Sequence, residues 1–164
     1  MTTPSSGVCV RCAARGTSCC TSKEGVEGPP LTPADEARIA ARTGLAAAQL
    51  VSVRAIDEVE QLAWREEDPS LAGVARGGMV RSLRRGPDGA SCLFLESAGC
   101  ALGGDRPLAC QRFPFARRGR QLLVRPGGEC LAAEEAEDLG ALLALLGTSR
   151  EEQRRLDRQL RSEL

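Results

Sequence analysis

Apolar residues recur at helical spacing in the first half of the chain and predict two helices there. The first starts at Thr32, which can cap a helix, with Pro33 at the first helical position, and it ends near Gly44. The second covers about residues 54–67, where Trp64 lies beside an apolar face and is predicted to anchor the core. That face carries Ile56, Val59, Leu62 and Ala63.

Two more helices are predicted after Cys130. Apolar residues step by four and three over 132–146, which indicates one amphipathic helix that Gly147 ends. Thr148–Glu151 has the pattern of a capping box and starts a last, highly charged helix with a narrow apolar stripe. We expect this pair to pack on the rest of the chain; the alternative is a contact with a protein partner or a second copy of the chain. The stripe consists of Leu156, Leu160 and Leu164.

Short strands are predicted around a turn in the middle of the chain. Met79–Arg85 and Ala90–Leu95 flank a Gly-Pro-Asp-Gly sequence, which is a strong turn signal. They are expected to form a hairpin with Cys92 on its second strand. Gln121–Arg125 is a further candidate strand, closed by the turn Pro126–Gly128.

The predicted fold class is therefore α+β and helix-dominated, a small irregular domain with one short β-hairpin and a C-terminal helical pair. Residues 1–8 are expected to be a disordered leader, and residues 9–130 a cysteine-cluster domain with a helical insertion at 32–67. Residues 131–164 supply the helices that pack on it. With three Phe, one Trp and no Tyr, the core is expected to be thin, so that a bound metal would organise the domain.

Charge and hydropathy narrow the range of partners. The 22 basic and 22 acidic residues balance, which does not favour nucleic acid or an anionic membrane. The N-terminus lacks the features of a secretory signal, and no apolar run is long enough to cross a bilayer. We therefore expect a cytoplasmic protein without a membrane partner. A weaker alternative is a nucleic-acid-binding patch formed by Arg81, Arg84, Arg85, Arg117, Arg118 and Arg120.

The cysteines carry the candidate chemistry. There are eight of them and no histidine, in an N-terminal and a C-terminal quartet. Four thiolates are the ligand set of a closed tetrahedral zinc site or of one iron–sulfur cluster. Thiols stay reduced in the cytosol, which favours metal ligation over the alternatives, structural disulfides or buried free thiols. The candidate metal ligands are Cys9, Cys12, Cys19, Cys20, Cys92, Cys100, Cys110 and Cys130.

Two spacings in the N-terminal quartet indicate how it binds metal. Cys9–Cys12 is a C-x-x-C in a Gly-, Ser- and Thr-rich stretch that is typical of a loop, and a loop can wrap an ion; a redox disulfide would need a helix start within a βαβ pattern. Cys19 and Cys20 are adjacent, and in extended backbone their side chains point to opposite sides. We expect them to serve two sites, or two atoms of one cluster, unless one is simply buried. At least one site should then combine residues 9–20 with residues 92–130.

Three distinctive segments lie at or near cysteines of the C-terminal quartet: Cys92-Leu93-Phe94-Leu95, Arg106-Pro107-Leu108-Ala109-Cys110 and Phe113-Pro114-Phe115. Together with the C-x-x-C, the adjacent cysteines and a helix start at Leu31-Thr32-Pro33, they make the chain resemble the YkgJ-type cysteine-cluster family over about residues 9–130. This resemblance implies a zinc- or iron-chelating domain with eight cysteines. One difference is the length of the segment Ala13–Ser18 between the C-x-x-C and the cysteine pair, which is commonly shorter in the family.

Four arginines near Cys110 are candidates for tuning the metal site. Thiolates around a divalent ion leave net negative charge, which guanidinium groups offset while donating N–H groups to sulfur. A solvated arginine face is the alternative. Phe113 and Phe115 are predicted to be core residues. The four arginines are Arg106, Arg112, Arg117 and Arg118.

These patterns predict a metal-binding protein that stores, buffers, delivers or senses zinc or iron, and they leave the choice between zinc and an iron–sulfur cluster open. One alternative is an iron–sulfur-dependent oxidoreductase or protein-modifying enzyme, or a subunit of one. Another is a structural zinc module for interactions. The sequence assigns no catalytic residue, because it offers no histidine base, no phosphate-binding loop and no dinucleotide fingerprint.

Overall fold

The computed structural model of the chain describes residues 7–16, 18–21, 27–125 and 130–164. Of the expected leader, residues 1–6 lie outside the described part, and residues 7 and 8 begin a helix. The expected turn Pro126–Gly128 also lies outside it. The α-helices of the described residues are α1 Gly7–Ala14, α2 Pro33–Thr43, α3 Ala47–Leu50, α4 Glu58–Glu67, α5 Leu108–Arg112, α6 Leu131–Glu135, α7 Leu139–Leu145 and α8 Arg150–Ser162.

The strands of the described residues form three antiparallel pairs, each a sheet of two strands. Strand β1 pairs with β2, β3 with β4, and β5 with β6. Helices outweigh strands, so the predicted helix-dominated α+β class is confirmed. The strands are β1 Val51–Ala55, β2 Met79–Leu83, β3 Leu95–Glu96, β4 Gly99–Cys100, β5 Phe115–Arg118 and β6 Gln121–Val124.

Helix α2 begins and ends where the sequence predicts. The Thr32 hydroxyl accepts a hydrogen bond from the Asp35 N–H, and the Asp35 carboxylate accepts one from the Thr32 N–H, both at 3.0 Å. This capping box satisfies two of the free N–H groups at the helix start. Gly44 ends the helix with a φ of 71°, a left-handed conformation that glycine adopts without strain.

The second predicted helix is shorter than expected. Residues 54 and 55 belong to β1, and α4 begins only at Glu58, where the Asp57 carboxylate caps it. The predicted apolar face is not the buried face, because Val59 and Leu62 are 77% and 55% exposed. Trp64 does pack against a core cluster. The β-branched residues of 51–55 pair with β2 instead of continuing a helix.

The predicted hairpin between Met79–Arg85 and Ala90–Leu95 is wrong. The turn itself exists, with the Gly89 N–H donating to the Gly86 carbonyl at 3.0 Å, but beyond it Arg85 and Cys92 form only an isolated bridge. Both edges of β2 are already taken, one by β1 and the other by residues 29–31. A second arm after the turn therefore has no free edge to join.

The approach of residues 28–31 to β2 is close. A side chain at Gly28 would place its Cβ 1.9 Å from the Leu83 carbonyl oxygen, so glycine is required there. The Leu31 N–H donates to the Arg81 carbonyl at 2.8 Å, and the Leu83 N–H donates to the Pro29 carbonyl at 2.9 Å. These contacts fix the chain as it enters α2.

The C-terminal part contains three helices where two are predicted. The apolar repeat over 132–146 is divided into α6 and α7, because Asp138 caps a new helix by accepting a hydrogen bond from the Ala141 N–H at 2.8 Å. Gly147 ends α7, as predicted, and α8 is capped by Ser149, one residue later than the predicted capping box. Strand β6 confirms the strand predicted from Gln121.

Helix α8 packs on the rest of the chain through its apolar stripe. Leu156 and Leu160 are buried against Leu108 of α5 and against Leu71 and Val74. Leu156 and Leu160 are therefore covered from within the chain, as the predicted packing of this helix requires. Beside it, the buried guanidinium of Arg112 bonds to two buried carboxylates. They belong to Asp68, after α4, and Asp157, on α8.

Candidate metal centre

Six of the eight cysteines line one small cavity of about 50 Å³. They come from separate parts of the chain: α1, the turn at 18–21, the loop after the 86–89 turn, β4 and α5. Both sequence quartets contribute, so the structure brings together segments that are far apart in the sequence. The six are Cys9, Cys19, Cys20, Cys92, Cys100 and Cys110.

The C-x-x-C lies on α1 and not in the expected loop. Helix α1 packs on α6, where Arg11 pairs with Glu135 at 2.9 Å and Arg15 with Glu134 at 2.8 Å. Cys12 is buried and lies outside the cavity, whereas Cys9 lines it. A helix start is one of the two conditions for a redox C-x-x-C, but the described sheets are all antiparallel and supply no βαβ unit.

Cys19 and Cys20 do not point to opposite sides, which corrects the prediction from extended backbone. They occupy the middle of a turn that the Thr21 N–H closes by donating to the Ser18 carbonyl at 3.0 Å. The two sulfurs are 4.0 Å apart and both line the cavity. The turn geometry thus places adjacent thiols on the same side, where they can serve one centre.

A short backbone contact joins the N-terminal turn to the second half of the chain. The Cys92 N–H donates to the Cys20 carbonyl at 2.7 Å, and Thr21 forms a bridge with Ser91. The prediction that residues 9–20 come together with residues 92–130 therefore agrees with the observed geometry.

Helix α2 positions Cys110. The carboxylate of Asp35 is fully buried, and it accepts a hydrogen bond from the Leu108 N–H at 3.0 Å at the start of α5. Burial raises the pKa of Asp35, while the hydrogen bonds from the Thr32 and Leu108 N–H groups oppose that shift. The predicted helical insertion is thus the support for the helix that carries Cys110.

Cys12 and Cys130 lie outside the six-cysteine cavity. Burial raises the pKa of Cys130, and the proximity of Cys12 and Cys9 raises it further. A second cavity of about 230 Å³ is lined by Cys9, Cys110 and Cys130 together with polar residues. Cys9 therefore lines both cavities, whereas Cys12 lines neither of them.

The surroundings of the cavity favour ionisation of Cys20 and disfavour ionisation of Cys92, Cys100 and Cys110. Burial raises the pKa of Cys92 to about 11 and also raises the pKa of Cys100 and Cys110, and neighbouring thiols contribute. The pKa of Cys20 is lowered to about 7, chiefly by the hydrogen bond from the Cys19 S–H and also by the charges of Arg106 and Arg85. The pKa of Cys19 is raised because its proton is held in that pair.

The arginines expected around Cys110 have other roles, with one exception. Arg106 lines the cavity, while its Nε donates to the Gly103 carbonyl at 2.8 Å. The Arg112 guanidinium donates its hydrogen bonds to two buried carboxylates, and Arg118 donates to the Glu66 carbonyl. Arg117 donates to the Gly119 carbonyl at 3.2 Å.

The charge of Arg85 acts to lower the pKa values of Cys20 and Cys92. This role of Arg85 was not predicted from the sequence. The available sequence signal was its place beside the 86–89 turn, which brings Arg85 opposite Cys92.

The thiols share a cavity without forming a ready coordination group. All eight cysteines are free. Across residues 7–16, 18–21, 27–125 and 130–164, no three Cys, Asp or Glu side chains are arranged so that they could hold a metal ion. The donor type nevertheless fits, because soft thiolates are the preferred ligands of zinc and of iron–sulfur clusters. Binding would require the cysteine-bearing segments to move closer together.

No protein-family model, curated protein or solved structure matches the chain significantly. The resemblance to the YkgJ-type family therefore stays a prediction from the sequence. Among the described helices, none has the length and apolar character needed to span a bilayer.

Proposed function

We propose that the protein binds zinc or an iron–sulfur cluster through the cysteines of the six-cysteine cavity. The observation that carries this proposal is that thiols from five separate segments line one cavity. The likeness of the cysteine pattern to a zinc- or iron-chelating family adds support. Six thiols exceed the four ligands of one tetrahedral ion, so the cavity suits two ions that share ligands, or a cluster with two further thiols.

The alternative of ordinary buried thiols explains the cavity less well. Free cysteine packs as a small hydrophobe, but six thiols around a void leave fewer dispersion contacts than a filled core. Burial and neighbouring thiols raise the pKa values of Cys92, Cys100 and Cys110, so thiolates at these positions are costly without a cation. A bound metal ion removes that cost by neutralising the thiolates and filling the void.

The side chains around the cavity have distinct tasks in this proposal. Cys20 is the first thiolate, stabilised by the Cys19 S–H and by Arg106 and Arg85. Arg106 offsets part of the negative charge that remains on a metal–thiolate centre. Cys12 and Cys130 do not line the cavity and are not among the proposed ligands.

Anaerobic purification followed by metal and sulfide analysis tests the proposal. Bound zinc with a colourless protein, or iron and sulfide with broad absorbance near 400 nm, supports it. We expect Cys20→Ser and Cys110→Ser to lose most of the bound metal, because each removes a cavity thiol. Cys130→Ser is the matched control, a buried cysteine outside the cavity, and should keep the metal. Equal loss in all three variants, or a metal-free wild type, contradicts the assignment.

The metal-free protein should lose stability as the pH rises from about 9 to 11. The thiols of the unfolded chain titrate near 8.5, whereas Cys92 in the folded chain titrates at about 11. In that window the unfolded chain has already released protons that the folded chain still holds, so alkali favours unfolding. The chain has no Tyr and only one Lys, Lys23, so few other groups titrate there.

Urea midpoints of the reduced, metal-free protein at several pH values measure this effect. The slope with pH should be smaller in Cys92→Ser, which lacks one of the raised thiols. A wild-type midpoint that stays constant across the window would show that the thiols are not buried together as described.

One observation favours an iron–sulfur enzyme as a second candidate function. The larger cavity of about 230 Å³ shares Cys9, Arg106 and Cys110 with the six-cysteine cavity, and it is also lined by Gln111 and Gln153. A small polar substrate there would lie beside the metal ligands. If this candidate holds, cyanide should shift the visible spectrum of the loaded protein by reaching an open coordination position. An unchanged spectrum leaves the metal-binding proposal standing without an enzymatic role.

A further inference from the structure

An arginine-rich cleft of about 410 Å³ lies between α8 and the turn that joins β5 to β6. It shares no lining residue with the six-cysteine cavity. Five guanidinium groups face a single carboxylate there, although the chain as a whole has no net charge. We call it the arginine cleft, and its charged lining is Arg117, Arg120, Arg154, Arg158, Arg161 and Asp157.

The one carboxylate of the cleft already has arginine partners. Asp157 is buried and bonds to Arg112 at 3.3 Å and to Arg161 at 3.2 Å, with Arg117 at 3.9 Å. Arg112 also bonds to Asp68. Asp157 therefore does little to balance the remaining arginines of the cleft.

Three arginines of the cleft have no ion-pair partner within the described part of the chain. They are Arg120, Arg154 and Arg158, and all are exposed. In contrast, Arg155 on the same helix pairs with Glu152 at 2.8 Å. Arg154 and Arg158 are also one helical turn apart, and like charges at that spacing destabilise a helix. An anion that bound both of them would reverse this repulsion.

Arg117 adds a buried donor at the base of the cleft. Its Nε is buried and has no hydrogen-bond partner among the described residues. Its Nη2 donates to the Gly119 carbonyl at 3.2 Å, which holds the side chain against the β5–β6 turn. The other wall is rigid as well, because Leu156 and Leu160 pack α8 on the core. The arginines are therefore presented from two fixed walls.

We propose that the arginine cleft binds a di- or triphosphate group. A guanidinium donates two parallel hydrogen bonds to phosphate oxygens, and three unpaired arginines match more than one phosphate. The cleft volume is in the range of small-ligand sites. Its lining has no aromatic side chain on which a base could stack, which favours a compact phosphate chain over single-stranded nucleic acid.

Titration calorimetry of the full chain with inorganic tripolyphosphate at low salt tests this site. We expect Arg154→Gln/Arg158→Gln to weaken binding about tenfold or more, because it removes two donors of the cleft. The matched control is Arg65→Gln/Arg150→Gln. It removes two exposed arginines that also have no ion-pair partner among the described residues but lie outside the cleft. The control should change the affinity by less than about twofold, within the range of screened surface charges.

Adenosine triphosphate as a second probe distinguishes the sources of the phosphate group. Equal affinity for both probes means that the phosphate chain alone is recognised, and tighter binding of the nucleotide identifies a nucleoside triphosphate. No binding by the wild type, equal losses in both double variants, or tighter binding of single-stranded DNA than of tripolyphosphate would overturn the proposal.

The site must also be independent of the metal centre. Cys19→Ser changes an exposed residue of the six-cysteine cavity and should leave tripolyphosphate binding intact. Loss of binding in that variant would assign the phosphate to the metal and overturn the arginine site. Loss of metal from wild type with intact phosphate binding would concern only the metal-binding proposal.

Discussion

Stripping the metal from the reduced protein is expected to lower its thermal midpoint by about 10 °C. A ligand that binds only the folded state, present at a thousand times its dissociation constant, adds about 4 kcal/mol of stability. In a chain of this size each kcal/mol shifts the midpoint by about 2–4 °C. The effect should be large here because a bound metal would hold together the five segments that line the cavity.

Thermal melts followed by circular dichroism, with and without a chelator, measure this shift. Adding back zinc, or reconstituting the cluster with iron and sulfide, should restore the midpoint. Cys20→Ser is the matched control, because it should melt at the stripped midpoint and show no response to the chelator. Identical melts of loaded and stripped wild type would contradict a structural contribution of the metal.

Replacing the buried arginine, in the variant Arg112→Leu, is expected to destabilise the protein by about 3–5 kcal/mol. Arg112 donates to both carboxylate oxygens of Asp68, at 2.9 and 3.0 Å, and to Asp157 at 3.3 Å. All three side chains are about 3% exposed. Without the guanidinium, the buried Asp68 carboxylate would have no ion-pair partner among the described residues, whereas Asp157 would keep Arg161 and Arg117.

Urea unfolding of the metal-loaded protein measures this loss. Arg155→Leu is the matched control on α8, since Arg155 is exposed and its pair with Glu152 is worth at most about 1 kcal/mol. Asp157→Asn should be milder than Arg112→Leu, because the two bonds between Arg112 and Asp68 remain. Similar costs for Arg112→Leu and Arg155→Leu would show that the buried network contributes little.

Local signals predicted the parts of the fold that depend on local chemistry. Thr32 and Gly44 mark the ends of α2 because capping and left-handed backbone are properties of a few neighbouring residues. The hairpin beyond Met79 failed for the opposite reason. Which edge of β2 is free depends on β1 and on residues 29–31, and their approach is a long-range event that spacing does not encode.

In the candidate site, too, the sequence predicted some features, and others depended on the folded backbone. Composition was enough to select the cysteines, since no other residue type offers comparable ligands. The expectation that the two quartets meet came from an assumed opposite orientation of Cys19 and Cys20, and the turn does not have that geometry. The direction of each thiol depended on backbone that the sequence left open. Cys19 and Cys20 share a side because they sit in a turn, whereas Cys9 and Cys12 lie on α1 and only Cys9 lines the cavity. The arginines were misassigned because Arg112 and its carboxylates meet only in the folded chain.

Helix α1 is attached to the rest of the chain by ion pairs and by apolar contact. Its two ion pairs with α6 are at the surface, with the Arg11 side chain 58% exposed, so they add little free energy and weaken as salt rises. The leucine-rich clusters around α2 and α8 do not depend on them. Val8 of α1 is buried in a third core cluster with Phe115 and Leu142, so this helix is held mainly by apolar contact and should stay attached as ionic strength rises.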